Sequence, residues 1–327
     1  MTEKAPWITF RPELKVLDCT IRDGGLINKH QFSDELVRAV YETCIAAGID
    51  TMEVGYKNSP RLFSKSEFGP WRHCDETDLN RVFPEHDAEA TGLKLCAMAD
   101  AGKSDMKEQL VPREESTLDM IRVAFYASQV SEAVEMIAYA TSLGYETMAN
   151  LMAVSNITEE EIDTVLEAIA PTAAGTMVIV DSFGYLYREQ VSRLYEKYSK
   201  AMEGTGKEIG IHAHNNCQLA FANTIEAIVL GSNRADATMA GLGRGAGNCP
   251  MELLLGFLRN PKFKLRPIVS LLQNYIEPLR STVEWGPLVP FNITGQMNLH
   301  PRHAIEWRAG DDRDDLVQFY DKIVADI

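Results

Sequence analysis

Two histidines separated by one residue stand out among the side chains that could do chemistry. His212-Ala213-His214 ends an apolar run that predicts a strand. Because residues i and i+2 of a strand point to the same face, both imidazoles can reach one point. Neutral imidazole is a common metal ligand. The pair is therefore a candidate metal site, although two hydrogen-bonded histidines in a packed interior would fit the same spacing.

An arginine followed by an aspartate supplies the negative ligand that two histidines lack. Arg22 and Asp23 end the first apolar run and precede two glycines. If both runs end at the same rim, Asp23, His212 and His214 form a set that leaves about three octahedral positions of a divalent metal open. A 2-oxo acid could fill two of them, and Arg22 could stabilise its enolate. The alternative is a strand that ends in a turn with a solvated ion pair.

The order of apolar runs predicts the elements that position these residues. Runs with continuous apolar character are typical of strands covered on both faces. They span residues 16–22, 51–56, 93–99, 120–126, 147–154, 177–182, 209–214 and 235–241. Amphipathic, capped segments lie between most of them, and this alternation over roughly 240 residues predicts an α/β fold, a (β/α)8 TIM barrel. A doubly wound open sheet is the competing interpretation, but its usual GxGxxG turn is missing after the first strand.

Two regions of the sequence are additional to the strands, helices and short connections of a minimal barrel. Residues 57–91 form a long connection that is rich in aromatic side chains, among them Phe63, Phe68 and Trp71. A long loop at this end of a barrel is typical of an active-site cover or a subunit contact. Helix-like runs follow Arg259. We therefore predict a catalytic barrel over residues 1–258 and a helical C-terminal extension over residues 259–327.

Composition and charge narrow the classes of function. The chain has 327 residues, of which 45% are hydrophobic, as in globular proteins. Its formal net charge of −15 disfavours general binding to nucleic acids or anionic membranes, so an anionic substrate needs a local positive charge. We find no apolar run of membrane-spanning length, and residues 1–11 lack the apolar core of a signal peptide. Six scattered cysteines suit a reducing compartment, and we expect a cytoplasmic protein.

Three motifs, in this chain order, resemble the DRE-TIM metallolyases. That superfamily includes 4-hydroxy-2-oxovalerate aldolase, hydroxymethylglutaryl-CoA lyase and the isopropylmalate and homocitrate synthases. The motifs are residues 18–24, residues 210–216 and the glycine-rich run at residues 241–248. The resemblance implies Mg²⁺ or Mn²⁺ on Asp23, His212 and His214, with Asn248 on or beside the metal. It also implies that Arg22 stabilises the enolate.

The same resemblance extends to substrate-binding positions and to the subgroup. Ser182 matches a segment that in the aldolases helps to bind the pyruvyl carboxylate, and Glu53 matches a rim position to which we assign an orienting role. Asp181 and Asn248 could instead cap loops. Asn215-Asn216 and the glycine-rich run are more similar to the aldolases than to the acyl-CoA condensing enzymes. The lyase for hydroxymethylglutaryl-CoA needs a cysteine in that run, and residues 241–247 contain none.

One departure from the family concerns the base that takes the substrate's hydroxyl proton. Related aldolases place a histidine four residues after the arginine, where this chain has Leu26. Our first candidate for the base is His30, which could equally lie on the surface. Tyr56, which we also expect to bind substrate, and His303 are weaker candidates. The histidines without motif support are expected to be structural or solvent-exposed: His73, His86 and His300.

These observations predict a divalent-metal-dependent carbon–carbon lyase that cleaves or forms a 4-hydroxy-2-oxo acid through a pyruvate-type enolate. The alternatives are a synthase that condenses an acyl-CoA with a 2-oxo acid and a non-catalytic metal-binding barrel that acts as a partner protein. An iron oxygenase could use the same ligands, but the order of the motifs argues against it. We expect a 2-oxo acid substrate, a dimer formed through the C-terminal extension, and a channelling partner.

Overall fold

A closed barrel of eight parallel strands forms the centre of the computed structural model, which describes residues 11–325. The strands are β1 (Lys15–Asp18), β2 (Thr51–Tyr56), β3 (Lys94–Asp100), β4 (Met120–Phe125), β5 (Glu146–Leu151), β6 (Thr176–Asp181), β7 (Glu208–Ala213) and β8 (Arg234–Ala237). Each strand pairs with the next, and β1 pairs with β8. All carboxyl ends of the strands therefore meet at one rim. The predicted (β/α)8 barrel is confirmed, and the open-sheet interpretation is wrong.

Helices alternate with the strands and continue beyond them. They are α1 (Thr20–Gly24), α2 (Asp34–Ala47), α3 (Glu76–Val82), α4 (Ala88–Thr91), α5 (Met106–Gln109), α6 (Val130–Ser142), α7 (Glu159–Ile169), α8 (Arg188–Ala201), α9 (Ala220–Leu230), α10 (Met251–Leu258), α11 (Leu265–Leu271), α12 (Glu277–Leu279), α13 (Val289–Gln296), α14 (Arg302–Arg308) and α15 (Leu316–Ala325). Local sequence sets several ends. The Ser33 hydroxyl accepts the Leu36 N–H at 3.2 Å before α2, and Thr158 and Glu161 cap α7 reciprocally.

The first and last strands are shorter than predicted. β1 ends at Asp18, whose carboxylate accepts both the N–H and the hydroxyl of Thr20 and thereby turns the chain into α1. Asp23 consequently lies on a helical turn above the strand instead of at its end. β8 stops at Ala237, shortly before Ala240 adopts a left-handed φ of +52° that no strand can contain.

Burial on both faces explains the continuous apolar runs. All six residues of β2, β4 and β6 are buried, as expected for a parallel sheet with both faces covered. A separate apolar cluster is formed by side chains on or next to four strands: Leu17, Cys19, Cys96, Met120 and Met148. All six cysteines are free, and all but Cys217 are buried.

The two regions outside the minimal barrel both contain regular structure. Residues 57–91 hold a 3₁₀ turn at Pro70–Arg72 followed by α3 and α4, and buried Trp71 anchors this loop by donating to the Phe32 carbonyl at 3.2 Å. In the C-terminal extension, Asn298 exchanges two 2.8 Å hydrogen bonds with Ser155, just after β5. The extension therefore reaches the rim of the barrel. The division at residue 258 stays a prediction.

Within residues 11–325, every helix is too short or too polar to cross a bilayer. The expectation that a signal peptide is absent concerns residues 1–11, nearly all of which lie outside the described residues.

Candidate active site

The two histidines and the aspartate meet at the carboxyl rim of the barrel. His212 lies in β7, His214 follows it directly, and Asp23 lies in α1 after β1. The Nε2 atoms of His212 and His214 lie 3.3 and 3.7 Å from Asp23 Oδ2. All three residues are at most 5% exposed. These side chains are up to 191 positions apart in the sequence. The fold brings them together because they lie at or just beyond the ends of two strands.

Asp236 in β8 fixes the orientation of His212. Its Oδ2 lies 3.0 Å from His212 Nδ1 and 2.5 Å from a guanidinium nitrogen of Arg122 in β4. Burial by itself would raise the pKa of Asp236, but Arg122 and the hydrogen bond to His212 outweigh it and lower that pKa. The ionised carboxylate can accept a hydrogen bond from Nδ1–H, which leaves the lone pair of His212 Nε2 facing Asp23.

A continuous chain of ion pairs holds Arg22 in place. Arg22 Nε lies 2.6 Å from Glu53 Oε2, and another guanidinium nitrogen lies 3.2 Å from Asp23. Glu53 also pairs with Arg122 at 3.0 Å, and Arg122 pairs with Asp236. We call these five residues the ion-pair chain. Within this chain Glu53 contacts Arg22 directly, as an orienting role for Glu53 requires.

The charges and unsatisfied atoms at this rim fit a divalent cation. With neutral histidines, the three carboxylates and two guanidinium groups of the ion-pair chain leave one net negative charge. Both carboxylate oxygens of Asp23 and Nε2 of His212 are buried without a hydrogen-bond partner among the described residues. Burial lowers the pKa of His214 to about 3, so its imidazole is neutral. Burial lowers the pKa of His212, but its contacts with Asp23 and Asp236 outweigh burial and raise that pKa, so a cation would replace any proton on its Nε2. One carboxylate and two imidazoles form a ligand set that Mn²⁺ or Mg²⁺ accepts.

Asn248 lies beside the same three residues. Its backbone bridges to His214, and its side-chain nitrogen donates to the Leu242 carbonyl at 3.3 Å, while its Oδ1 is buried without a partner in residues 11–325. A Cβ at position 243 would lie 2.1 Å from that nitrogen and 3.5 Å from Asp23 Cγ. Gly243 therefore allows the amide and the carboxylate to approach each other. Asn248 thus makes a loop-capping contact through its side-chain nitrogen and keeps its Oδ1 available for a cation.

A cavity of about 150 Å³ opens next to these residues. Five of the residues predicted for the site line it, namely Arg22, Tyr56, Ser182, His212 and His214. The Ser182 Oγ accepts the Ala153 N–H at 2.8 Å, which leaves its own proton for a ligand. The neighbouring Asp181 instead accepts backbone N–H groups of the following turn at 3.0 and 3.1 Å, so it caps that turn.

His30 lies behind the cavity wall. It is 1% exposed, so the interpretation as a surface residue is wrong. Its Nε2 lies 3.2 Å from the Arg22 carbonyl, and its ring packs edge-on against Tyr56 with 5.3 Å between centroids. Burial lowers the pKa of His30 to about 3, which keeps the ring neutral. With the proton on Nε2, Nδ1 retains a lone pair that has no partner in the described part of the chain. Leu26 lines the cavity, whereas His303 lines a different one.

Several polar groups in the cavity wall, three of them cations, were missed by the sequence analysis. They are Arg72 from the loop at residues 57–91, Lys103 after β3, Arg244 of the glycine-rich run and His300 of the C-terminal extension. Arg244 donates to His300 Nε2 at 3.1 Å and to the Ser182 carbonyl at 3.4 Å. The expectation that His300 has only a structural or solvent-exposed role is therefore incomplete, because the extension places it in the cavity wall. Arg244 belongs to the glycine-rich run at residues 241–248 and could have been identified from it. No motif in the sequence contains Arg72 or His300.

An eight-stranded parallel barrel with this histidine pair, aspartate and arginine at its carboxyl rim has the architecture of the DRE-TIM superfamily. The HMGL-like family matches residues 13–271. The chain belongs to this family.

Relatives and solved structures agree with this assignment. The chain is 30% identical to 4-hydroxy-2-oxovalerate aldolase 2 of Comamonas testosteroni over 74% of its own length and 67% of the relative. It is 30% identical to 4-hydroxy-2-oxovalerate aldolase of Thermus thermophilus over 76% and 70% of the two chains. The N-terminal domain of a candidate aldolase from Bacteroides vulgatus superposes with a TM-score of 0.79 at 28% identity, covering 93% of this chain and all of that one.

Proposed function

We propose that this protein is a divalent-metal-dependent aldolase that cleaves or forms a 4-hydroxy-2-oxo acid through a pyruvate enolate. The observation that carries the proposal is the contact of Arg22 with Asp23, which itself lies within 3.7 Å of His212 and His214, beside a small cavity. The aldolase names of the relatives support the same reaction class.

Asp23, His212 and His214 would hold the cation, with the free oxygen of Asn248 beside them. When bound, Mn²⁺ or Mg²⁺ supplies Lewis-acid polarisation of the ketone and carboxylate oxygens of a 2-oxo acid. Arg22 is a fixed positive charge, because Glu53 and Asp23 hold it on two sides. A guanidinium that is already in place stabilises developing enolate charge without reorganisation. Ser182 offers its hydroxyl proton to the substrate carboxylate.

Cleavage breaks the bond between C3 and C4 of the substrate. The C4 hydroxyl gives its proton to a base, the C4–oxygen bond becomes the carbonyl of an aldehyde, and the electron pair of the broken bond stays on pyruvate as its enolate. Protonation of C3 then gives pyruvate, so no oxidant or reductant is needed.

We propose His30 as the base, since its Nδ1 lone pair is free in the described structure. His300 is the alternative, because it lines the cavity directly, but as the base it would have to give up the hydrogen bond that its Nε2 accepts from Arg244.

The experiment that tests this function follows exchange of the C3 protons of pyruvate in D₂O by NMR, with and without Mn²⁺. The wild-type protein should exchange them only with the metal, and Asp23→Ala and His212→Ala should abolish exchange. His86→Ala is the matched control, because His86 pairs with Asp119 at 3.1 Å just before β4, away from the carboxyl rim. Undiminished exchange in Asp23→Ala would contradict the proposal. Release of thiol from acetyl-CoA with a 2-oxo acid would instead identify a synthase.

We further propose that the C-terminal extension forms a dimer contact. On α15, Val317, Tyr320 and Val324 are 71%, 47% and 47% exposed and recur at helical spacing. An apolar stripe of this kind suits a subunit interface, and sedimentation of the wild type against Val317→Glu tests it: a monomeric wild type would contradict the proposal.

A further inference from the structure

Arg72 is a buried cation that forms no ion pair with any residue from 11 to 325. It is 6% exposed and lines the cavity, yet its Nε has no hydrogen-bond partner among the described residues. Burial lowers the pKa of its guanidinium, and Tyr56 and Asp100 oppose this without bonding to it. A guanidinium carries five N–H donors, and leaving them unsatisfied in a protein interior is costly. Among the described residues no side chain or carbonyl accepts a hydrogen bond from this guanidinium, so a molecule bound in the cavity can supply the acceptor.

Aromatic rings hold Arg72 in position without satisfying its donors. Its guanidinium carbon lies 3.9, 4.5 and 5.7 Å from the ring centroids of Phe63, Tyr56 and Phe68. Cation–π contacts offset part of the cost of burial and fix the plane of the guanidinium. Packing alone would explain why the aliphatic part of Arg72 lies among these rings. It would not explain why this position in the cavity wall holds an arginine and not an apolar side chain. The aromatic loop thus orients a cation towards the cavity.

The charges around Arg72 suit a monoanion. Lys103 also lines the cavity, and its Nζ lies 3.7 Å from Asp100 Oδ2. With Asp100 ionised, the three groups carry one net positive charge. This balances a carboxylate better than the greater negative charge of a phosphate group, and the planar guanidinium matches a carboxylate in geometry.

Tyr56 connects this second positive region to the reacting end of the cavity. The Arg22 guanidinium carbon lies 5.9 Å from the centroid of the same ring that Arg72 contacts at 4.5 Å. One short molecule can therefore present an oxo-acid end to Arg22 and another anionic end to Arg72. Arg244 also lines the cavity, and its Nε is likewise buried without a partner in residues 11–325. Its terminal nitrogens, however, donate to His300 Nε2 and to the Ser182 carbonyl, whereas those of Arg72 have no acceptor in that part of the chain.

We propose that Arg72, assisted by Lys103, binds a second carboxylate at the far end of the substrate. This inference rests on the proposed function, and it assigns the substrate class: a dicarboxylic 4-hydroxy-2-oxo acid, whose cleavage gives pyruvate and an aldehyde that itself carries a carboxylate. Arg72 is then the residue that selects the aldehyde half.

Binding of matched ligands tests this without turnover. Isothermal titration in the presence of Mn²⁺ compares 2-oxohexanedioate with 2-oxohexanoate, which lacks only the distal carboxylate, and with 2-oxo-5-phosphonopentanoate, whose distal group is a phosphonate. Charged hydrogen bonds of this kind predict that the wild type binds 2-oxohexanedioate about 10- to 100-fold more tightly than 2-oxohexanoate. Arg72→Met should bring this ratio close to one, and Arg72→Lys should give an intermediate ratio. Arg61→Met is the control from the same loop, since Arg61 is highly exposed and pairs with Glu108 outside the cavity.

Each outcome has a distinct meaning. A ratio near one in the wild type, or a ratio that Arg72→Met and Arg72→Lys both leave unchanged, overturns the second carboxylate site. Tighter binding of the phosphonate that depends on Arg72 overturns the choice of carboxylate. Proton exchange of pyruvate in the wild type, measured in parallel, reports on the proposed aldolase chemistry alone. Its absence beside an intact binding ratio would refute that chemistry while leaving the anion site standing.

Discussion

Replacing Asp236 with asparagine separates the positioning of His212 from ligation itself. The amide keeps the shape of the carboxylate but removes the charge that lies 3.0 Å from His212 Nδ1 and 2.5 Å from Arg122. Arg122 is fully buried and would keep only Glu53 at 3.0 Å and Asn150 at 2.9 Å. We therefore expect Asp236→Asn to weaken both the fold and the affinity of the site for a cation.

Two magnitudes follow from this geometry. Removing one partner of a buried ion pair typically costs 3–5 kcal/mol, and because Glu53 still pairs with Arg122 we expect about 3 kcal/mol. At about 2.1 cal/mol/K per residue, 327 residues have an unfolding entropy of about 0.7 kcal/mol/K, so Tm should fall by about 4 °C. Loss of a carboxylate that orients a metal-binding histidine typically weakens metal affinity about 10- to 100-fold.

The assay measures Mn²⁺ affinity by electron paramagnetic resonance and Tm by calorimetry on the same samples. Asp119→Asn is a closely matched control, because Asp119 also contacts a histidine and an arginine, His86 and Arg113, but precedes β4 at the opposite end of the barrel. It should lower Tm and leave Mn²⁺ affinity unchanged. If Asp236→Asn lowers Tm without changing Mn²⁺ affinity, Asp236 serves only stability and the reasoning about His212 is refuted.

Four further predictions concern the reaction and the loop that shapes the cavity. Arg22→Lys should slow pyruvate proton exchange about 100-fold at saturating Mn²⁺, because a lysine cannot contact Glu53 and the enolate in a planar fork; exchange within threefold of wild type would exclude this role. His30→Ala should lose cleavage but keep exchange, whereas the same pattern in His300→Ala would transfer the base to His300. Because the pKa of His30 is lowered to about 3, the ring stays neutral from pH 8 down to 5, so a pH profile of wild-type cleavage should show no loss of rate from protonation of His30 in that range. Gly55→Ala should cost about 1–3 kcal/mol in urea unfolding, because its Cβ would lie 2.0 Å from the Trp71 carbonyl oxygen; an unchanged midpoint would refute that clash.

Features that depend on neighbours in the chain could be read from the sequence. The alternation of buried strands with capped helices predicted the barrel, because each βα unit carries its own periodicity and end signals. His212 and His214 could be paired because they are two residues apart at the end of one predicted strand, and Asp23 could be added because all strand ends of such a barrel share one rim. The end of β1 was placed too late, because the Asp18–Thr20 contacts that turn the chain outweigh the apolar run.

The remainder of the site depends on contacts between distant parts of the chain. Arg122 and Asp236 are 114 positions apart, and each is an ordinary strand residue until the barrel closes around them. Arg72 and His300 reach the cavity from a long loop and from the C-terminal extension, whose paths no local periodicity fixes. The sequence by itself therefore determined the barrel and the metal-binding residues that we propose. Only the tertiary structure decided which charges surround them, because an ion pair between distant residues requires only the right distance in space and leaves no spacing in the sequence.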